Sequence, residues 1–186
     1  MKLALSSLIA TLSLLTSPGD LASQTNSASH EATLFFANMR KLCDGRFEGA
    51  TEFPPDADHP LAGKKLLISI ERCSETEIRI PLHAGEDKSR TWILTLTADG
   101  LLLKHDHRHA DGTPDEITNY GGFARPDGTA TRQSFAADAA TAKLIPEAET
   151  NVWTLEIDEA KRQLSYALER NRAPRYKAVF QLAPAP

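Results

Sequence analysis

The chain has 186 residues, 41% hydrophobic and 25% charged, with 10 Gly, 11 Pro and 2 Cys. That length supports one compact domain. The hydrophobic share is too high for a disordered chain, and the Gly and Pro counts are too low for a collagen-like one. A formal net charge of −4 demands no basic face, so nucleic acid is not an expected partner.

Met1-Lys2 precedes an apolar run from Leu3 to Leu15. A short positive start with an apolar stretch of this length matches a signal-peptide core and is too short to span a bilayer. Residues 1–23 are expected to be a signal peptide, cut between Gly19 and Gln24, with no stable membrane insertion afterwards. The expected location is periplasmic or secreted. In an oxidising compartment Cys43 and Cys73 pair as one disulfide. Closing a loop of about 30 residues stabilises a domain by about 3–4 kcal/mol on the chain-entropy model. Residues 24–28 form a polar, flexible leader, 29–183 a single domain, and 184–186 a disordered tail.

Ser29 can cap a helix, with Glu31 facing the helix dipole in the first turn. Leu34, Phe35, Met39 and Leu42 recur at helical spacing, and Asp44-Gly45 ends the helix. Almost everything afterwards alternates with period two. The apolar faces are Leu66/Ile68/Ile70, Ile78/Ile80/Leu82, Trp92/Leu94/Leu96, Leu101/Leu103, Trp153/Leu155/Ile157, Leu164/Tyr166/Leu168 and Tyr176/Ala178/Phe180/Leu182. Such alternation means antiparallel strands with one buried face. Asp99-Gly100, Asp111-Gly112 and Asp127-Gly128 supply turns. Asp138 to Ile145 interrupts as a short helix before Pro146. The pattern predicts a mainly β fold: an antiparallel up-and-down barrel of about 8–10 strands with an N-terminal amphipathic helix and one short later helix. A β-sandwich is the other closure.

From Leu101 to His109, the odd positions are Leu101, Leu103, His105, His107 and His109, and the even ones are Leu102, Lys104, Asp106 and Arg108. The histidines therefore continue an apolar face, and the permanent charges take the outer, solvated one. A tight Asp99-Gly100 turn would pair Leu103 with Leu96, His105 with Leu94 and His107 with Trp92. A tight Asp111-Gly112 turn would set His107 against Glu116, His105 against Thr118 and Leu103 against Tyr120.

Two uses of this row follow. A cavity lined by Trp92, Leu94, Leu103, Tyr120, His105, His107 and His109 would hold a small molecule, since apolar walls with a few convergent polar groups suit ligand sites. Alternatively, an H-x-H pair, with Cα atoms about 7 Å apart, could bind Zn or another transition metal through His105 and His107, with Glu116 as the neighbouring ligand. His105 and His109, about 13 Å apart, are too distant to share an ion. The chain carries no G-x-S-x-G, P-loop, H-E-x-x-H or dinucleotide fingerprint. The reading therefore leans away from an enzyme, with an envelope interaction or inhibitor module as a third class. Arg170, Arg172, Arg175 and Lys177 make a basic hairpin. It would either attract an anionic headgroup or simply keep a hairpin tip from pairing edge to edge.

Gly45-Arg46-Phe47 after a short helix, followed by meander strands, resembles the lipocalin-like (calycin) barrels, whose first strand often opens with Gly-x-Trp. Here Phe47 takes the aromatic position. The blocks Arg90-Thr91-Trp92, Leu103 to Arg108, Asp111-Gly112, Tyr120-Gly121-Gly122 and Asn151-Val152-Trp153 are similar to a family of uncharacterised bacterial exported proteins. The calycin likeness implies a small, often hydrophobic ligand held inside a barrel. The second likeness implies no activity.

Overall fold

The period-two segments all join one sheet. A computed structural model describes residues 29–54 and 60–182. The expected signal peptide, leader and tail lie outside the described residues. Helix α1 (His30–Arg40) is followed by β1 (Arg46–Phe53), β2 (Leu66–Ser69), β3 (Glu77–Ala84), β4 (Asp87–Thr97), β5 (Gly100–His107), β6 (Tyr120–Phe123) and β7 (Arg132–Ala136). After helix α2 (Ala139–Leu144) and a short 3-10 turn come β8 (Val152–Asp158), β9 (Gln163–Arg170) and β10 (Ala173–Gln181). Ten antiparallel strands take the order β6-β5-β4-β3-β2-β1-β10-β9-β8-β7. Pairing of β1 with β10 (Gly49 opposite Phe180, Thr51 opposite Ala178) rolls the sheet into a nearly closed barrel rather than a sandwich. The two remaining edges, β6 and β7, meet through an isolated bridge between Ala124 and Phe135. The Arg125 N–H donates to the Ser134 carbonyl at 2.7 Å, and the Asp138 N–H to that of Gly121 at 2.9 Å.

Helix α1 plugs one end. The Ser29 hydroxyl accepts from the Ala32 N–H at 3.1 Å, as expected of an N-cap. Ala32, Phe35, Phe36 and Met39 are buried, against β4, β5 and β7. Leu34, expected on this face, is exposed; the 32/35/36/39 stripe turns it outward. The Asn38 amide donates to the Ala130 carbonyl at 2.9 Å. The Cys43–Cys73 disulfide, Cα atoms 6.3 Å apart, ties the helix exit to the β2–β3 connection. Gly45 is needed where the helix hands over to β1: a Cβ there would strike the Phe47 ring and lie 2.8 Å from the Leu42 carbonyl oxygen. The aromatic residue two positions after the glycine thus packs where a side chain would have stood.

Parity holds on β5, but both expected registers slip by two residues. The β4–β5 turn is Ala98-Asp99, because the Thr97 hydroxyl accepts from the Asp99 N–H at 3.1 Å and donates to the Gly100 carbonyl at 2.9 Å. Leu103 therefore faces Leu94, His105 faces Trp92, and His107 faces Arg90. On the other side His105 faces Tyr120 and Leu103 faces Gly122. Around the tip, Arg108 bridges Pro114 and the Asp115 N–H donates to the His107 carbonyl at 3.0 Å. Residues 115–119 form an extra loop that absorbs the shift. His107 thus has neither Trp92 nor Glu116 as its cross-strand partner. A two-residue slip leaves every side chain on its expected face.

Candidate functional site

The mouth opposite α1 holds a cavity of about 270 Å³. Arg90 and Trp92 reach it from β4, His105 and His107 from β5, Tyr120 from β6, Tyr166 and Leu168 from β9, Tyr176 from β10 and Leu82 from β3; Pro60 and Leu61 edge it. Each of the strand residues is an inward position of its strand, continued to the rim. Below this layer the barrel is filled: Ile80, Leu94, Leu103 and Leu155 are fully buried. Two other clefts lie elsewhere. One of about 370 Å³ sits between the start of α1 and the β4–β5 turn. One of about 330 Å³ is lined by outward residues of β3, β4 and β5, including Arg79, Thr91 and Asp106. Size favours these, but of the three, among the described residues, the mouth cavity is the one that draws convergent polar groups and aromatic faces from five strands, so we place the site there.

Hydrogen bonding orders the aromatic rings. His105 Nδ1 lies 3.2 Å from the Tyr120 carbonyl oxygen. A carbonyl only accepts, so Nδ1 carries the proton and Nε2 is bare. That nitrogen, 2.9 Å from the Tyr166 hydroxyl, accepts from it. Burial pushes the His105 imidazole down to about 3, so the ring stays neutral. Burial likewise holds the Tyr166 phenol well above its usual range and pushes Tyr120 up to about 12. The Tyr120 hydroxyl is 3.0 Å from His107 Nε2. His107 is held below the usual imidazole range, by burial first and then by the Arg90 cation.

The ring packing is equally ordered. Tyr166 stacks on Trp92 with centroids 4.3 Å apart and planes 11° from parallel. His105 stacks on Tyr120 at 4.8 Å and tilts against Trp153 at 5.1 Å. Stacked pairs add about 0.5–1.5 kcal/mol each beyond the area they bury. The result is a rigid wall of unionised aromatic groups, which offers hydrogen-bonding atoms at fixed points rather than mobile charge.

Arg90 supplies the cation. Its Nη1 pairs with Asp87 and reaches Ser89 Oγ at 3.4 Å. Burial works to raise the Asp87 carboxyl, but the Ser89 N–H and hydroxyl, together with Arg90, hold it well below the carboxylate range.

Among the expected lining residues, Trp92, His105, His107 and Tyr120 border the cavity. Leu94 and Leu103 lie in the packed layer beneath it. His109 does not continue the inward row: β5 ends at His107, and His109 is exposed, with Nε2 3.8 Å from Glu116. The expected chelating set does not assemble either. Both His105 nitrogens are engaged. Among the described residues, the cluster of three metal-competent side chains is instead His109, Asp115 and Glu116, on the exposed rim. Lys104 points outward as expected but is not freely solvated; α2 covers it, and its Nζ pairs with Asp138 at 2.6 Å.

The sequence reading left out Arg90, Tyr166 and Tyr176 as site residues. Their parity was visible: Arg90 stands two before Trp92, and the tyrosines sit within recognised inward rows. Nothing in the pattern marked where packed core gives way to cavity. Comparison with known proteins finds no family model and no curated protein that matches the chain.

Proposed function

We propose that the protein is an exported, non-enzymatic barrel that holds a small molecule in its open mouth, in the manner the lipocalin-like resemblance implies. One observation carries this reading. A barrel plugged by a helix at one end keeps, at the other, a cavity where aliphatic inward positions give way to Arg90, His107, Tyr120 and Tyr166. Burying such groups in a packed core would cost stability, while placing them around a ligand gives orientation and selectivity. The Cys43–Cys73 disulfide and the apolar N-terminal run support a periplasmic or secreted location. Among the described residues no helix is long and apolar enough to cross a membrane.

Native mass spectrometry of the full-length chain, expressed in a Gram-negative host and recovered from the envelope, tests both parts. The expected species is a mature chain beginning between residues 20 and 24, carrying one small molecule that is lost when Leu168→Trp fills the cavity. An unprocessed chain overturns export. Apo protein that also fails to bind apolar fluorophores saturably overturns the cavity reading.

A further inference from the structure

We propose that the mouth cavity selects a flat, apolar molecule bearing a single carboxylate, gripped by Arg90. This rests on the mouth cavity being the binding site and adds the ligand's chemical class. Among the described residues, Arg90 is the one permanently cationic side chain bordering the cavity. Only its Nη1 is engaged, by Asp87 and Ser89. Nε and Nη2 have no partner among the described residues, and neither is a sealed, unsatisfied group, since Gln133 Oε1 is the buried atom so left. Two adjacent N–H donors in one plane match the two oxygens of a carboxylate.

Charge sets the valence of the head group. Asp87 already balances Arg90, and His107 at the rim also feels Asp115 and, from the outer face where it pairs with Arg108, Asp106. A doubly charged phosphate would meet that acidic surround. A cationic head, which the rings of Trp92, Tyr120 and Tyr166 would otherwise attract, would meet Arg90. The body of the ligand follows from the walls: aromatic rings of Trp92, Tyr120 and Tyr166, the first and last stacked on each other, line with Leu82 and Leu168 a cavity of about 270 Å³, and such rings favour a flat, apolar body that can lie against them. That is just below the about 300–1,000 Å³ usual for ligand pockets, so the ligand is a small acid rather than a long-chain lipid.

Calorimetric titration with three isosteric probes decides: 2-naphthoate, 2-naphthalenemethanol and a naphthylmethyl-trimethylammonium salt. The expected result is naphthoate binding about tenfold or more tighter than the alcohol, as charge-assisted hydrogen bonds require. Arg90→Gln should collapse that ratio to within about twofold, and Arg90→Lys, which keeps the charge but loses the fork, should retain part of it. Asp87→Asn, which removes the competing charge, should tighten naphthoate about threefold or more while the alcohol is unmoved. Equal affinity for acid and alcohol, a preference for the ammonium, or a preference that survives Arg90→Gln overturns the carboxylate inference and leaves the cavity reading standing. Failure of all three probes to bind overturns both.

Discussion

The two ends of the barrel are built from the same strands and differ in what their inward positions carry. At the plugged end, Phe35, Met39, Leu101 and Phe180 exclude water completely, and the disulfide fastens the helix exit. At the open end the rows finish in Arg90, His107, Tyr120 and Tyr176 around an unfilled space. Each buried aliphatic or aromatic side chain at the first end contributes about 1.5–3 kcal/mol. The polar rings at the second end contribute less apiece, about 0.5–1.5 kcal/mol for each hydrogen bond or stacked pair, because every hydrogen bond made there replaces one with water. The fold is thus held chiefly from the plugged end, while the open end presents fixed polar groups to what it binds.

Three changes would break or sharpen that contrast. The largest effect is expected from Phe35→Ala at the plug, which should cost about 3–5 kcal/mol in urea denaturation while ligand affinity of the folded protein stays within about twofold. A cost below about 1 kcal/mol would mean that the helix is not what holds the barrel. Next comes acid. His105 is neutral in the fold, with its protonation pushed down to about 3, and titrates near 6.5 once unfolded. The unfolded chain therefore binds the extra proton between those values. Stability is fully present above pH 6.5 and falls on acidification by about 1.4 kcal/mol per pH unit. Urea midpoints measured at pH 7.5 and 5.0 should show a smaller drop in His105→Gln than in wild type; parallel drops would place the acid sensitivity elsewhere. The smallest effect is expected from Tyr120→Phe, which removes the bond to His107. It should cost about 0.5–1.5 kcal/mol and weaken ligand binding more than it lowers the melting temperature. The reverse ranking would make Tyr120 a structural group.

The barrel was legible in the sequence because period-two alternation survives wherever a strand has one wet and one dry face. The inward aim of His105 and His107 came from the same rule, and a two-residue slip at each turn could not spoil it. Three strands escaped. In β6, Gly121 and Gly122 carry no side chains to alternate, and a Cβ on either would collide with a backbone carbonyl, of Leu103 and Ala136 respectively. In β7, Gln133 and Ser134 are buried, so polarity gave no period. In β1 the inward row is Phe47, Gly49 and Thr51, of which only Phe47 is a large apolar residue; the glycine-aromatic resemblance marked it instead. Of the site, the histidines were visible, but Arg90 was hidden by the assumption that permanent charge faces outward.

The seam between β6 and β7 gives the chain an unusual geometry. Beside it, Thr141 of α2 accepts from the Gly121 N–H at 2.7 Å and donates to the Gly121 carbonyl at 2.8 Å, standing in for a strand residue that the sheet lacks. The ribbon's first and last strands lie stitched side by side, while its parted hem falls mid-chain, closed by a backbone bridge and one threonine. New termini opened near Asp127 would sever no strand pairing, so the chain can be recut there while Tyr120 stays held against His105 by the β5–β6 pairing.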